Sequence, residues 1–126
     1  MKVCFIGLGS IGQRHLKNVH AVAAARGIDV VTDVVEPRPL DYLDAATHSL
    51  VRQRFATPAE IGRYDMIFVT NPSQLHHETL AAVKDKADFF FVEKHDYFST
   101  MFTFIEIHMC FSFFLISYIR PYISAY

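Results

Sequence analysis

The sequence has little cysteine and no excess of charge of either sign. Its two cysteines, Cys4 and Cys110, are too few for the disulfide framework of a small secreted domain. Twelve basic residues against thirteen acidic ones leave a net charge of −1 over 126 residues, so the chain lacks the basic surface of a nucleic-acid or anionic-membrane binder. The start of the chain also lacks a signal-peptide pattern, because glycines interrupt the short apolar run after Lys2. These absences favour a cytoplasmic protein without a nucleic-acid partner.

Glycine is scarce and unevenly placed. Three of the five glycines fall between residues 7 and 12, and none follows Gly62. From Tyr97 onward the chain has no glycine and only two charged side chains, yet it carries six of the twelve phenylalanines and four of the six tyrosines. This change of composition divides the chain. We therefore expect a domain over residues 1–94 and an atypical hydrophobic tail over residues 95–126.

The first part of the chain alternates between short apolar runs and amphipathic segments. The apolar runs, which predict strands, span residues 2–6, 28–35, 65–70 and 88–93. The helical patterns span residues 10–26 and 74–86, with a helix and a short strand expected within 40–55 and a helix start at 57–60. Because no Asn-Gly hairpin signal separates the strands, crossover connections are indicated. The predicted fold class is α/β, a Rossmann-type doubly wound parallel sheet.

The first strand runs directly into the motif GLGSIG, which has the spacing G-x-G-x-x-G. Gly7 permits the tight turn, Gly9 lets the backbone approach a diphosphate, and Gly12 lets the helix pack closely on its strand. Free main-chain N–H groups and the positive end of the helix dipole lie at such a turn. The motif, including Ser10 and Ile11, is therefore predicted to bind the pyrophosphate of a dinucleotide cofactor.

An acidic residue, Glu36, ends the second strand 27 positions after Gly9 (36 − 9). A carboxylate at this place accepts hydrogen bonds from the ribose hydroxyls of an adenosine, which favours NAD and repels the 2′-phosphate of NADP. Arg38 lies two residues later and could bind that phosphate instead. NAD is the preferred expectation, and NADP stays an alternative. No G-K-[ST] P-loop pattern occurs, and the tightly spaced third glycine argues against a methyltransferase turn.

Three blocks of the sequence, in order, resemble the Gfo/Idh/MocA oxidoreductases, which include glucose–fructose oxidoreductase and inositol dehydrogenase. They are GLGSIGQRH from Gly7, TNPSQLHHETLAA from Thr70 and VEK from Val92. The first resembles that family's initial turn, the second its T-P-N-x-x-H block, and the third the start of its E-K-P signature. The resemblance covers residues 1 to about 94. It implies the NAD(P)-binding domain of an enzyme that transfers hydride between a nicotinamide and a sugar-like or polyol substrate.

The resemblance also implies roles for residues near the ends of the later strands. The nicotinamide side of the cofactor site would be lined by Asn71, Pro72, Ser73 and His76. Glu93 would lie near the nicotinamide ribose, and Lys94 would be the catalytic residue that contacts the substrate hydroxyl. An ammonium group beside a reacting oxygen stabilises the charge that develops there, whereas the hydride chemistry belongs to the cofactor. Because His76 and His77 would lie about 100° apart on a helix, no metal site is expected.

The sequence departs from the family at one position in each of the last two blocks and throughout its tail. Ser73 stands where the family usually has asparagine, and His95 replaces the proline of E-K-P. No family pattern follows His95, where further strands and a substrate domain would be expected. We therefore expect residues 95–126 to derive from a shifted reading frame or a truncated gene, and the chain to bind a nucleotide with little or no turnover.

Other interpretations of the tail stay open, and one is a hydrophobic helix or strand that docks on the sheet. Residues 101–119 form an apolar run close to the ~20 residues that a spanning helix needs. Glu106 and His108 near its middle argue against a membrane anchor. Alternatively, the tail is the interaction surface of a non-catalytic nucleotide-sensing or partner-binding module. The oligomeric state is left open by the sequence.

Overall fold

The computed structural model describes residues 1–93, which form a parallel sheet of five strands connected by helices. The strands are β1 (Lys2–Ile6), β2 (Val31–Val35), β3 (Gln53–Phe55), β4 (Tyr64–Val69) and β5 (Ala87–Val92). Their order across the sheet is β3-β2-β1-β4-β5, and every neighbouring pair is parallel. The chain starts in the middle of the sheet and winds outward in both directions, so the expected Rossmann-type α/β fold is confirmed.

Helices connect the strands and cover both faces of the sheet. They are α1 (Ser10–Ala25), α2 (Ala45–Ser49) and α3 (His76–Val83), with short 3-10 helices at Pro58–Glu60 and Ser73–Leu75. On one face Phe68 stacks on Phe5, with ring centroids 4.5 Å apart, and lies near His15 of α1. In a second apolar cluster, Ile67 packs together with Val83 of α3. Burial of successive β4 side chains on both sides explains the continuous apolar run in its sequence.

β2 begins at Val31, rather than at residue 28 as its apolar pattern predicts, because the end of α1 takes up the preceding residues. Gly27 adopts a left-handed φ of +66°. Its N–H donates to the carbonyl of Ala24 over 3.2 Å, and the N–H of Ile28 donates to the carbonyl of Ala23 over 2.9 Å. Together these two bonds form a Schellman motif. Ile28 therefore belongs to the helix cap.

The segment over residues 40–55 contains the expected helix and short strand, although the helix α2 has only five residues. Asp44 caps α2, since its carboxylate accepts a hydrogen bond of 2.8 Å from the N–H of Thr47. The helix start expected next along the chain is a single 3-10 turn, in which the Glu60 carboxylate accepts a hydrogen bond from the N–H of Thr57. Side-chain carboxylates thus accept hydrogen bonds from main-chain N–H groups at the starts of both brief helices.

Several expectations from the sequence concern residues beyond this description. Lys94 and the tail over residues 95–126, including the apolar run 101–119, lie outside the described residues. Within residues 1–93, no helix is both long enough and apolar enough to cross a lipid bilayer.

Candidate functional site

The strand register brings the residues that follow four strands to one edge of the sheet. Ile6 pairs with Val35 and with Val69, and Val69 pairs with Val92, so the last residues of these strands are level. The residues that follow the four strands are Gly7, Glu36, Thr70 and Glu93. In an open parallel sheet a ligand binds beyond the carboxyl ends of the strands, where the chain direction across the sheet reverses. In this sheet that point lies between β1 and β4.

Two glycines of the first turn are required by the packing of the protein itself. Gly7 has a left-handed φ of +89°, and a Cβ added there would lie 2.6 Å from the Cα of Asn71. A Cβ added to Gly12 would lie 2.5 Å from the carbonyl oxygen of Gly7 and 3.0 Å from Oγ1 of Thr70. The turn thus brings β1, α1 and the segment after β4 closer together than any side chain would allow.

Gly9 is different, because the described part of the protein gives no reason for a glycine there. Its φ of −70° and ψ of −171° are open to any residue. A Cβ added to Gly9 would meet no protein atom within 4 Å. The space in front of Gly9 is therefore open, beside the first turn of α1. A backbone without a Cβ at this point allows a ligand to approach the main chain closely, so these residues fit a bound diphosphate.

The carbonyl groups of the turn are already bound by protein donors. The hydroxyl of Thr70 donates to the carbonyl of Gly7 over 2.7 Å. The carbonyl of Leu8 accepts two hydrogen bonds, from the side-chain amide of Gln13 over 3.2 Å and from the hydroxyl of Tyr42 over 3.1 Å. These contacts hold the turn in one conformation before any ligand arrives, which lowers the entropy cost of binding.

The first turn of α1 has main-chain donors without helical acceptors. The first helical hydrogen bond runs from the N–H of Gln13 to the carbonyl of Gly9 over 2.9 Å. The N–H groups of Ser10, Ile11 and Gly12 precede it and therefore have no acceptor within the helix. No side chain caps the helix, and its first turn contains no acidic residue. This end of α1 combines free donors with the positive end of the helix dipole, an arrangement that binds anions.

Glu36 follows β2, and its carboxylate is bound to the glycine turn. It accepts a hydrogen bond of 3.1 Å from the N–H of Leu8, and the Tyr42 hydroxyl lies 3.3 Å from the same oxygen. Arg38 binds it with Nε at 3.0 Å and Nη2 at 3.3 Å. Burial by itself would raise the pKa of Glu36, but the hydrogen bonds from Arg38 and Leu8 hold that pKa below its ordinary value. Glu36 is therefore ionised at neutral pH.

Arg38 is exposed, although the Glu36 carboxylate that it binds is buried. Its side chain is 63 % exposed, whereas that of Glu36 is only 5 % exposed. The guanidinium also lies over the ring of Tyr42, 4.7 Å from its centroid. A second guanidinium, that of Arg54 on β3, donates to the main-chain carbonyl of Glu36 over 2.8 Å. Two positive groups therefore flank the end of β2.

The segment after β4 is held by its own polar side chains. The side-chain amide of Asn71 donates to the hydroxyl of Thr79 over 2.7 Å. Nε2 of His76 lies 2.7 Å from the carbonyl oxygen of Asn71, so this nitrogen carries the hydrogen and donates. Pro72 and Ser73 are exposed. The side-chain oxygen of Asn71 is buried and has no hydrogen-bond partner among residues 1–93.

Glu93 follows β5 and packs against the buried face of α1. Its carboxylate lies 3.9 Å from Nε2 of His15. His15 is buried and packs edge-on against Phe91, with ring centroids 5.1 Å apart. Burial lowers the pKa of His15, and the charge of Arg14 lowers it further. His15 is therefore a packed side chain that faces β5.

Three side chains that hold the glycine turn were not among the residues predicted from the sequence. They are Gln13, Tyr42 and Thr70. Thr70 directly follows β4, so the rule that strand ends line the site could have identified it. Tyr42 lies in an irregular segment between β2 and α2, where no periodic pattern marks its direction.

Two further questions about the site concern the expected catalytic lysine and a metal centre. Lys94 lies just beyond it. In residues 1–93, no group of three or more His, Cys, Asp or Glu side chains is arranged to hold a metal ion.

The chain matches no protein-family model and no curated protein sequence. A function is therefore argued from the geometry of the site and from the sequence blocks that carry the family resemblance.

Proposed function

We propose that the chain binds a nicotinamide dinucleotide, with the pyrophosphate on the N-terminus of α1. The observation that carries this proposal is the open space at Gly9, beside three main-chain N–H groups that lack helical acceptors. The carbonyl groups of Gly7 and Leu8 are already bound by protein donors. The main-chain groups left for a ligand are therefore donors, as an anionic diphosphate requires.

The adenosine half of the dinucleotide would lie over the end of β2. Glu36 is an ionised acceptor at the position where ribose hydroxyls are bound in this kind of fold, which supports NAD as the preferred cofactor. Arg38 and Arg54 are donors at the same place, and they would support NADP as the alternative.

The nicotinamide half would lie across the ends of β1 and β4. The family resemblance assigns this side of the cofactor to Asn71, Pro72, Ser73, His76 and Glu93. Two observations support the assignment. Asn71 packs directly against the glycine turn, and its buried side-chain oxygen has no partner among residues 1–93. An acceptor in that position suits the amide hydrogens of a carboxamide.

The wider proposal is that this domain is the cofactor half of an oxidoreductase of the Gfo/Idh/MocA type. When bound, the nicotinamide supplies the hydride chemistry. By the resemblance, Lys94 would hold the hydroxyl oxygen of a sugar-like or polyol substrate and stabilise its developing charge. The residues of the glycine turn would orient the cofactor and take no part in proton transfer.

The binding proposal is tested by titrating the purified full chain with NADH and following the fluorescence of the nicotinamide. We expect a saturable change at or below millimolar cofactor. The critical variant is Gly9→Val, which fills the open space and should abolish saturation. Gly62→Val is its matched control, because a Cβ on Gly62 also meets no protein atom within 4 Å but lies before β4, at the opposite edge of the sheet. Equal affinity in Gly9→Val and in the wild type would refute the proposal.

A binding module without turnover is the second candidate, favoured by the loss of family pattern after residue 94. Both candidates predict dinucleotide binding, so the discriminating experiment measures reduction of bound NAD⁺ by a panel of sugars and polyols. Reduced nicotinamide that accumulates in proportion to the protein supports the oxidoreductase. Saturable binding with no reduction on any substrate of the panel supports the module.

A further inference from the structure

Two buried ionisable side chains face each other between α1 and β5. Nε2 of His15 lies 3.9 Å from Oε2 of Glu93, and the two side chains are 5 % and 10 % exposed. A buried carboxyl group loses hydration that apolar side chains in the same place would not lose, so such a pair often stabilises a fold no more than hydrophobic residues of similar size. The stability of the fold therefore does not explain why these two residues are paired.

The imidazole of His15 is held in place by aromatic packing. Its ring centroid lies 5.1 Å from that of Phe91, edge-on, and 6.3 Å from that of Phe68, and the two phenylalanine centroids are 5.1 Å apart. Burial lowers the pKa of His15, so the ring is neutral at neutral pH and carries one N–H. The separation of 3.9 Å from Glu93 is about 1 Å longer than a hydrogen bond. A small movement of the carboxylate would thus bring it into hydrogen-bond contact with a ring that is already fixed.

Glu36 and Glu93 lie on opposite sides of the glycine turn. In the strand order β3-β2-β1-β4-β5, Glu36 follows β2 and Glu93 follows β5, whereas the glycine turn follows β1 between them. A dinucleotide has one ribose on each side of its pyrophosphate. With the pyrophosphate on the N-terminus of α1, the adenosine ribose lies on the Glu36 side and the second ribose on the Glu93 side. His15 follows Ser10 by five residues (15 − 10), about 7 Å along the axis of α1, so one helix carries both the pyrophosphate donors and the imidazole.

We propose that His15 is a positioning residue, which orients Glu93 to accept hydrogen bonds from the hydroxyls of the second ribose of the dinucleotide. This inference rests on the proposed function. When the ligand binds, the Nε2–H of His15 donates to the carboxylate from the side of α1, and the ribose hydroxyls donate to it from the ligand. A carboxylate offers about four acceptor sites, so it accepts all of these hydrogen bonds together. The contact between His15 and Glu93 is long without the ligand and shortens in the complex, as active-site hydrogen bonds commonly do.

The test measures the dissociation constants of the wild-type full chain and of His15→Phe for three ligands by isothermal titration calorimetry. ADP ends at the pyrophosphate, ADP-ribose adds the second ribose, and NADH adds the nicotinamide. His15→Phe keeps an aromatic ring against Phe91 but has no N–H, so the Kd for ADP-ribose and for NADH should rise by about three- to tenfold, the effect of losing one hydrogen bond. The Kd for ADP should not change. His15→Gln supplies a side-chain N–H again and should restore most of the ADP-ribose affinity.

His20→Phe is the matched control. His20 is a partly buried histidine of the same helix, but its Nε2 lies 2.9 Å from Oγ1 of Thr32, near the start of β2 and away from the carboxyl ends of the strands. The substitution should therefore leave all three dissociation constants unchanged.

The ratio of the ADP and ADP-ribose affinities distinguishes a positioning role of His15 from a general disturbance of α1. If His15→Phe weakens ADP binding as much as ADP-ribose binding, or binds ADP-ribose as tightly as the wild type does, the inference is overturned while the proposed function stands. The same holds if His15→Gln is as impaired as His15→Phe. If the wild-type chain binds none of the three ligands, both the inference and the proposed function are overturned.

Discussion

Thr70 donates its hydroxyl hydrogen to the carbonyl oxygen of Gly7 over 2.7 Å, and so joins the residue after β4 to the residue after β1. A Cβ on Gly12 would approach the same hydroxyl oxygen to 3.0 Å. Three segments of the chain therefore meet at this one hydrogen bond. It fixes the glycine turn at the point where the strand order reverses, which is where the proposed cofactor would cross the sheet.

Removing this hydroxyl should weaken both the fold and ligand binding. Thr70→Val keeps the shape of the side chain but leaves the Gly7 carbonyl without its donor, so we expect a loss of about 1–2 kcal/mol in the free energy of unfolding. NADH affinity should fall as well, because the turn is less well ordered before binding. Urea unfolding and fluorescence titration measure the two effects. Thr70→Ser retains the hydroxyl and should stay near the wild type in both, so a serine variant as impaired as the valine variant would contradict this account.

Substitutions of Gly7 and Gly9 should have different effects, the first on the stability of the fold and the second on ligand binding. Gly7→Ala places a methyl group 2.6 Å from the Cα of Asn71 at a left-handed φ, so it should lower the free energy of unfolding by at least about 2 kcal/mol. Gly9→Ala meets no protein atom and should not lower stability. It should nevertheless weaken NADH binding.

Urea unfolding and fluorescence titration with NADH, carried out on both variants, check this difference. Destabilisation of Gly9→Ala to the level of Gly7→Ala would show that the open space at Gly9 has been misidentified. Wild-type NADH affinity in Gly9→Ala would instead mean that no ligand approaches the backbone there.

The fold could be predicted from the sequence because apolar runs and amphipathic segments alternate without hairpin signals. Such a pattern admits few arrangements other than a parallel sheet with crossover helices. The bounds were less predictable. The start of β2 depended on the Schellman motif at Gly27, since Ile28 is apolar and fits a strand pattern as well as a helix cap.

The sequence predicted residues that lie along one edge of the sheet, but not the side-chain contacts between them. The spacing of the glycines predicted the turn, and the end of the second strand predicted the position of Glu36, whereas Glu93 was assigned through the family resemblance. The contact of Arg38 with Glu36 was not predictable, because an exposed arginine two residues after an acid has many rotamers open to it. In the rotamer that Arg38 adopts, its guanidinium lies over the ring of Tyr42, and Tyr42 belongs to an irregular segment without periodicity.

The cap of α1 offers a prediction that is independent of any ligand. Gly27→Ala forces a side chain into a left-handed conformation, so the free energy of unfolding should fall by about 1 kcal/mol. Gly62→Ala has neither a positive φ nor a neighbour within 4 Å and should be close to neutral. Thermal unfolding followed by circular dichroism compares the two. Equal melting temperatures would show that the Schellman motif contributes nothing to stability.

A buried acid in β2 predicts how stability depends on pH. Asp33 is 1 % exposed, accepts a hydrogen bond of 2.7 Å from the Tyr64 hydroxyl, and is bound by both Nε and Nη2 of Arg52. Burial alone would raise the pKa of Asp33, but the hydrogen bonds from Arg52 and Tyr64 bring it below 3.8. A carboxyl group whose pKa is lower in the folded state stabilises the protein above its unfolded pKa. That contribution is lost as the pH falls through the folded value.

Tyr64→Phe isolates one hydrogen bond to this carboxylate while keeping the ring in the core. At neutral pH it should lower the free energy of unfolding by about 1–2 kcal/mol, as expected for a hydrogen bond to a charged acceptor. The difference from the wild type should shrink as the pH falls below 3.8, because the protonated Asp33 gains less from a donor. Urea unfolding at a series of pH values measures this difference. If it stays constant from neutral pH down to acid, the Tyr64 hydroxyl does not stabilise the ionised form of Asp33, and the buried acid must be held by Arg52 alone.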